Sequence, residues 1–317
     1  MKTKIILYAT LIASALAIPA RAADLKPYRI GFNSWIGYIS LFVAEEKGYF
    51  TDEGLAVTKT SFSSPGDGLK PLLAGDLDAH FTTVDSTIIA LDKAPGQLRV
   101  VYLTDTSAGA DAVVAIKDIA TVKDLKGHTV AATLGECNYL LLTKALDSAG
   151  LTEADVKITN MSADDAGAAF AAGKIDVAVT WEPWITQVSA EQKGHVIFSS
   201  KMVPNLILDC VTISSATADK KAAETKAFLR ALNKANEFVI AHPDEAAKLT
   251  EKALEMKAAD IEGMIPKVKL YGLAGNLAEL GGDALPPAKD LAIFFHDKKV
   301  NDSIVDVSNI YDPSFLK

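Results

Sequence analysis

The sequence predicts an α/β protein of two lobes, in which two parallel or mixed sheets are joined by a two-stranded hinge. Two observations predict it. The first is an internal echo: Leu73-Ala74-Gly75-Asp76-Leu77-Asp78-Ala79-His80 and Ala171-Ala172-Gly173-Lys174-Ile175-Asp176-Val177-Ala178 share the pattern Ala-Gly-x-[Leu/Ile]-Asp, 98 positions apart. Each follows an Ala/Leu-rich helical stretch and precedes an apolar strand ending in Thr, at Thr83 and Thr180. The second is the alternation of apolar runs with helical segments, the pattern of parallel strands linked by crossover helices. Two similar lobes facing one another enclose a cleft, the shape of a molecule that closes around something small.

The elements follow in order. Met1-Lys2-Thr3-Lys4 is a basic start, Ile5 to Pro19 an apolar run, and Ala20-Arg21-Ala22 a small-residue cleavage pattern, so residues 1–22 are expected to be a signal peptide removed after Ala22. The apolar run is shorter than the ~20 residues of a membrane span. First-lobe strands are expected at Tyr28–Phe32, Leu55–Thr60, Ala79–Thr83 and Leu98–Tyr102, with a crossing near Asp111–Ile116 and a charged helix at Asp118–Lys126. Second-lobe strands follow at His128–Thr133, Val156–Asn160, Asp176–Trp181 and His195–Phe198, and Leu206–Ile213 reads as the return strand. Helical periodicity then fills Ala222–Ile240, Pro243–Leu254 and Pro287–Phe295, a tail that needs the first lobe to cover. Residues 23–112 with 214–317 are therefore expected to form one lobe and 113–213 the other, and two crossings favour hinged closure.

Charge and composition exclude several functions. The formal net charge is −8, and losing Lys2, Lys4 and Arg21 with the leader takes it to −11, unsuited to nucleic acid or anionic lipid. Five scattered His and no Cys-x-x-Cys give no support for a metal site, and no cofactor motif is present. Cys137 and Cys210 would meet an oxidising compartment, which leaves one disulfide or two free thiols open. There is no nucleophile elbow or Ser/His/Asp arrangement, so a binder is expected rather than an enzyme.

In open α/β sheets ligands sit beyond the carboxyl ends of strands. The loops there carry the candidate ligand residues: Trp35 and Tyr38 flanking Gly37; Asp85 and Ser86 after the third strand; Glu136, Cys137 and Asn138 opening a helix; and Trp181-Glu182-Pro183-Trp184. Asp209 adds a carboxylate inside the apolar return strand, where a buried acid is costly unless paired. Asp85 and Ser86 also suit helix caps, and Glu136 suits a helix dipole.

The segments Trp35-x-Gly37-Tyr38, Ala44-Glu45-Glu46-Lys47-Gly48-Tyr49-Phe50, Ala74-Gly75-x-Leu77-Asp78, Ser107-x-Gly109-Ala110-Asp111, Val122-x-Asp124-Leu125-Lys126-Gly127 and Trp181-Glu182-Pro183-Trp184 resemble the nitrate/sulfonate/taurine-type periplasmic solute-binding proteins of ABC importers. The resemblance covers most of residues 28–215. It implies a type II periplasmic-binding fold, a monomer in the periplasm, and delivery of a small molecule to an inner-membrane permease. Relatives also bind pyrimidine thiamin precursors, so the resemblance leaves the ligand open. Where sulfonate-type relatives tend to carry small hydroxyl residues, this chain has Gly135-Glu136-Cys137-Asn138, and none of the candidate loops contains Lys or Arg. Carboxylates with aromatic faces suit a small nitrogenous cation such as an amine, amidine or guanidinium. Taurine or an alkanesulfonate at helix N-termini, or a neutral pyrimidine, are the alternatives.

Overall fold

The computed structural model describes residues 25–317. The expected signal peptide, residues 1–22, lies outside the described residues. Eleven strands occur among the described residues. In chain order they are β1 (Lys26–Asn33), β2 (Leu55–Phe62), β3 (Ala79–Thr83), β4 (Leu98–Ser107), β5 (Asp111–Ala115), β6 (Thr129–Ala132), β7 (Lys157–Asn160), β8 (Val177–Trp181), β9 (His195–Ser199), β10 (Leu208–Ser214) and β11 (Val268–Leu270). They form two sheets, ordered β11-β4-β10-β3-β1-β2 and β7-β6-β8-β5-β9.

The echo occupies matching places in the two sheets. Gly75 closes the helix Leu69–Ala74 with φ 82°, and Gly173 follows the helix Ala163–Ala171 with φ 69°. Both adopt the left-handed conformation that ends a helix at little cost only for glycine. The chain then enters β3 in one sheet and β8 in the other, each buried along its whole length. Each is flanked by one antiparallel strand: β10 pairs with β3 and β4, and β5 pairs with β8 and β9. The chain thus leaves the first sheet between β4 and β5 and returns between β9 and β10.

Two expectations change. Residues 208–213, assigned from sequence to the second lobe, belong to the first sheet, because β10 finds its hydrogen-bond partners on β3 and β4. The helix expected over Asp118–Lys126 is only a short turn at Val122–Leu125, where Asp124 folds back to accept from the Thr121 amide at 2.9 Å and its hydroxyl at 2.8 Å. These bonds form a capping box that opens the turn, and the chain leaves the helical conformation at Lys126, with φ −57° and ψ 121°.

The tail covers the first sheet as its periodicity predicts. The helix Ala222–Ala241 buries Phe228, which stacks on Tyr28 at 5.0 Å and on Phe50 at 5.2 Å and meets Phe81 edge-on at 6.1 Å. The helix Leu285–Asp297 buries Ala288, Ala292 and Phe295 against the opposite face, where Leu103 and Cys210 also pack. Phe228→Ala should cost about 3–5 kcal/mol of stability, as truncations of fully buried aromatics do. A lowered urea midpoint with an unchanged slope would be the expected result.

Candidate functional site

The site begins with a bulge. Asp209 on β10 lies opposite Asp105 on β4, and the next pair is Cys210 with Leu103, so Thr104 is an extra residue. Directly opposed residues project from the same face. Two carboxyl groups therefore emerge side by side, and Asp209 also faces Thr83 across β3. Trp35 Nε1 donates to Asp105 Oδ1 at 3.1 Å, and the Thr104 hydroxyl donates to Asp105 Oδ2 at 3.0 Å. The Tyr38 hydroxyl donates to Asp209 Oδ1 at 2.9 Å, with the Thr82 carbonyl at 3.2 Å. Gly37 makes this approach possible, since a Cβ there would lie 2.1 Å from Asp105 Oδ2.

The second lobe brings its own acids. Asp111 opens β5 opposite Trp181, and Glu136 precedes the helix Cys137–Ser148. Trp35 and Trp181 meet edge-to-face across the cleft, with ring centroids 6.3 Å apart. Between the lobes lies a cavity of about 10 Å³, lined by Asn33, Trp35 and Asp209 from one side and Asp111, Cys137 and Trp181 from the other. A volume of that order holds about one water.

The electrostatics of this space are one-sided. Asp85, Asp105, Asp111 and Asp209 are no more than 3% exposed. Asp85 Oδ2, Asp111 Oδ2, Asp209 Oδ2 and Glu136 Oε2 are buried oxygens without a hydrogen-bond partner among the described residues. No Lys, Arg or His among the described residues pairs with any of these five carboxylates; the cleft's one ion pair, Lys267 with Glu182, lies beside them. Burial raises the Asp85 carboxyl to about 6 and the Asp111 and Glu136 carboxyls to about 7. Burial, and then the charge of Asp105, holds Asp209 well above the usual carboxylate range. The Cys137 thiol is pushed up by burial and by the charges of Asp85, Asp111, Glu136 and Asp209.

The candidates named from sequence separate into groups. Trp35, Cys137, Trp181 and Asp209 line the cavity, and Asp85 and Glu136 stand close enough to act on Cys137. Asn138 is fully buried beside Cys137, with an unpartnered Nδ2. Tyr38 is a support beneath Asp209. Ser86 serves the helix cap: its amide bonds Thr83 Oγ1 at 3.3 Å, and its own Oγ receives the Thr83 hydroxyl at 2.9 Å. Trp184 is drawn away to Asp164, whose Oδ1 accepts from both Trp184 Nε1 at 2.9 Å and Trp181 Nε1 at 2.7 Å, so no Trp box forms around Glu182. Glu182 instead accepts from the Thr186 amide at 3.0 Å and pairs with Lys267. Glu136 does not cap its helix. Its Oε1 reaches the other lobe, accepting from Ser64 Oγ at 2.7 Å and the Gly66 amide at 3.2 Å. Cys137 and Cys210 are both free and buried.

Asp105, Asp111 and Lys267 were not singled out as ligand candidates from sequence. Asp105 interrupts the apolar run of β4, the same signal that marked Asp209, and Asp111 lay within a quoted segment. Lys267 sits in the helical tail, and nothing local ties it to the cleft.

The family model described as NMT1/THI5 like matches residues 35–246, about two thirds of the sequence. The chain belongs to this family. It is 27% identical over 270 residues to the taurine-binding periplasmic protein of Escherichia coli (strain K12), a match spanning 81% of this chain and 82% of that one. Its fold is similar to the alkanesulfonate-binding protein SsuA from Xanthomonas axonopodis pv. citri bound to MOPS, with a TM-score of 0.76 at 20% identity, covering 90% and 97% of the two chains. It is also similar to the desulfurization enzyme DSZB, with a TM-score of 0.68 at 16% identity, covering 91% and 97%. These structural likenesses establish the two-lobe periplasmic-binding fold.

Two measurements test the site's electrostatics. Lys267→Met leaves buried Glu182 unpaired and should cost about 2–3 kcal/mol, less than for a wholly buried pair because the lysine is partly exposed. A double variant with Glu182→Gln should recover most of that loss in thermal denaturation. The raised carboxyls bind protons in the folded state that the unfolded chain releases near pH 4, so the ligand-free protein should lose stability as pH rises from about 4 to 7. A melting temperature that climbed over this window would contradict the assignment.

Proposed function

We propose that this chain is the exported solute-binding component of an ABC importer, a monomer that closes its lobes around a compact organic cation and presents it to an inner-membrane permease. The ligand class is an amine, amidine or guanidinium. Membership of the NMT1/THI5-like family and likeness to a taurine-binding periplasmic protein support the transport role. One observation carries the ligand class: Asp111 and Asp209 line a cavity of about 10 Å³, Asp85, Asp105 and Glu136 are buried near it, and no basic side chain among the described residues pairs with any of the five. A small ion with several N–H donors supplies both the missing charge and partners for the open oxygens. In this reading residues 111–207 move as one lobe about the two crossings, and Glu136 bonds across the cleft only when it is shut.

The second reading, a sulfonate or taurine, is favoured by the relatives' names and by two helices whose N-termini face the cleft, Val84–Leu91 and Cys137–Ser148. Against it stands charge. A sulfonate about 5 Å from an ionised carboxylate meets a repulsion of about 3 kcal/mol at an effective dielectric of 20, repeated for each acid. The first of these helix ends already carries Asp85 in its first turn.

Catalysis finds no support in the cleft. A nucleophilic thiol needs a lowered pKa, whereas Cys137 is raised. His80 is buried in β3 with Nε2 at 2.9 Å from the Pro65 carbonyl.

A thermal-shift screen of the chain after signal-peptide removal, against guanidinium, methylammonium, acetamidinium, taurine and ethanesulfonate at low millimolar concentration, separates the readings. Stabilisation by cations alone is expected, about 2.7 kcal/mol at 100 times the dissociation constant. Asp209→Asn should weaken cation binding about 10- to 100-fold, the scale of a lost charge-assisted hydrogen bond. Stabilisation by sulfonates alone would overturn the cation reading.

A further inference from the structure

The five uncompensated acids of the cleft are not equivalent. Asp111 lines the cavity from the second lobe, Glu136 is buried close to Cys137 on the same lobe, and Asp85 stands on the helix after β3, so opening the cleft separates Asp111 and Glu136 from the first-lobe groups. Asp105 and Asp209 sit opposite one another on neighbouring strands of one sheet and remain adjacent whether the lobes are open or shut. Their hydrogen bonds also differ. Asp105 accepts donors on both oxygens, from Trp35 and from Thr104. Asp209 accepts from Tyr38 on Oδ1, while its Oδ2 is buried, unpartnered and part of a residue that lines the cavity. The arrangement stabilises a negative charge on Asp105 and leaves Asp209 with an oxygen that needs a proton or a cation beside it.

We propose that Asp105 and Asp209 hold one shared proton while the site is empty and release it to solvent when the ligand cation enters, so that capture exchanges a proton for an organic cation. The inference rests on the cation reading above. The balance is simple. The O–H bond of the Asp209 carboxyl breaks, its electron pair stays on Oδ2, the proton passes to the buffer, and an N–H of the ligand takes the vacated place. The net charge of the pair with its occupant is the same before and after.

The groups facing the pair reinforce this. Asp85 stands on the helix after β3, Asp111 on β5, and Glu136 and Cys137 at the start of the helix Cys137–Ser148. Tyr38 and Trp35 come from the loop after β1, and Cys210 follows Asp209 on β10. The ionisable neighbours are acids or neutral hydroxyl and thiol groups. Lys267, the cation beside Glu182, is committed to that residue. A second negative charge on the pair is therefore opposed from every side until a cation arrives, and burial with mutual repulsion raises both carboxyls.

The test is isothermal titration calorimetry of the processed full chain with guanidinium chloride at low millimolar concentration, in buffers of differing ionisation enthalpy between pH 5.5 and 7.5. Close to one proton released per cation bound near pH 6.5 is expected, with the dissociation constant tightening by up to about tenfold for each unit that the pH rises toward neutrality. Asp105→Asn, which removes the partner charge, should flatten that slope. Binding without proton release, or an Asp105→Asn variant with an unaltered slope, overturns the inference while the cation reading stands. If guanidinium, methylammonium and acetamidinium all fail to bind while taurine or ethanesulfonate binds, the cation reading fails and the inference falls with it. The buffer slope of the unmodified protein decides the matter even where a variant does not fold.

Discussion

The site is organised around negative charge that has no internal counter-charge. Folding brings Asp85, Asp105, Asp111, Glu136 and Asp209 close together, and among the described residues none of them forms an ion pair. Elsewhere the chain treats a buried acid differently. Asp78 is nearly as buried, yet it accepts from the Arg29 guanidinium at 2.8 Å and from Lys221 at 2.9 Å. The protein can supply basic partners where an acid serves packing. Their absence in the cleft concentrates a demand for positive charge at one point, where isolated buried charges are most expensive.

Closure is the mechanical side of that constraint. Glu136 accepts from Ser64 and Gly66 across the cleft, Lys267 reaches Glu182 and Thr186, and Lys298 pairs with Glu153 at 3.1 Å. Lys298 and Lys267 come from the tail that covers the first lobe, so the tail both packs that lobe and touches the second. A rim pair such as Lys298 with Glu153 is partly exposed and contributes little. Glu182 is buried and adds more to the shut state.

Much of this was legible in the sequence where the signal is local and periodic. The echo around Gly75 and Gly173 marks two helix ends in left-handed conformation, and it led to two sheets of similar build. The acids at strand ends and helix starts were visible as residue types in loops. What was not visible depends on contacts distant in sequence. Trp184 looked like a pocket wall beside Trp181 until Asp164, twenty residues earlier, took its indole N–H. Glu136 looked like a cap or a ligand contact, and its partners lie about seventy residues away. Asp105 was hidden because a bulge at Thr104 sets its register against Asp209, and a single extra residue leaves no mark in the hydrophobic pattern.

In the proposed reading the same scaffold carries opposite ligand charges with little change. The type II arrangement aims helix N-termini at the cleft, and their partial positive charge by itself favours an oxyanion. Here Asp85 lies in the first turn of one such helix, and the Glu136 carboxyl turns from its own helix start to Ser64 and Gly66. Burial raises both carboxyls, to about 6 and about 7, so near neutral pH they oppose a bound anion with only part of their charge. In that reading acids at helix starts offset the partial charge without moving a strand, so the backbone fold carries no information about ligand charge. The acids do, and the tight contact of Trp35 with Trp181 limits the size of what can answer them.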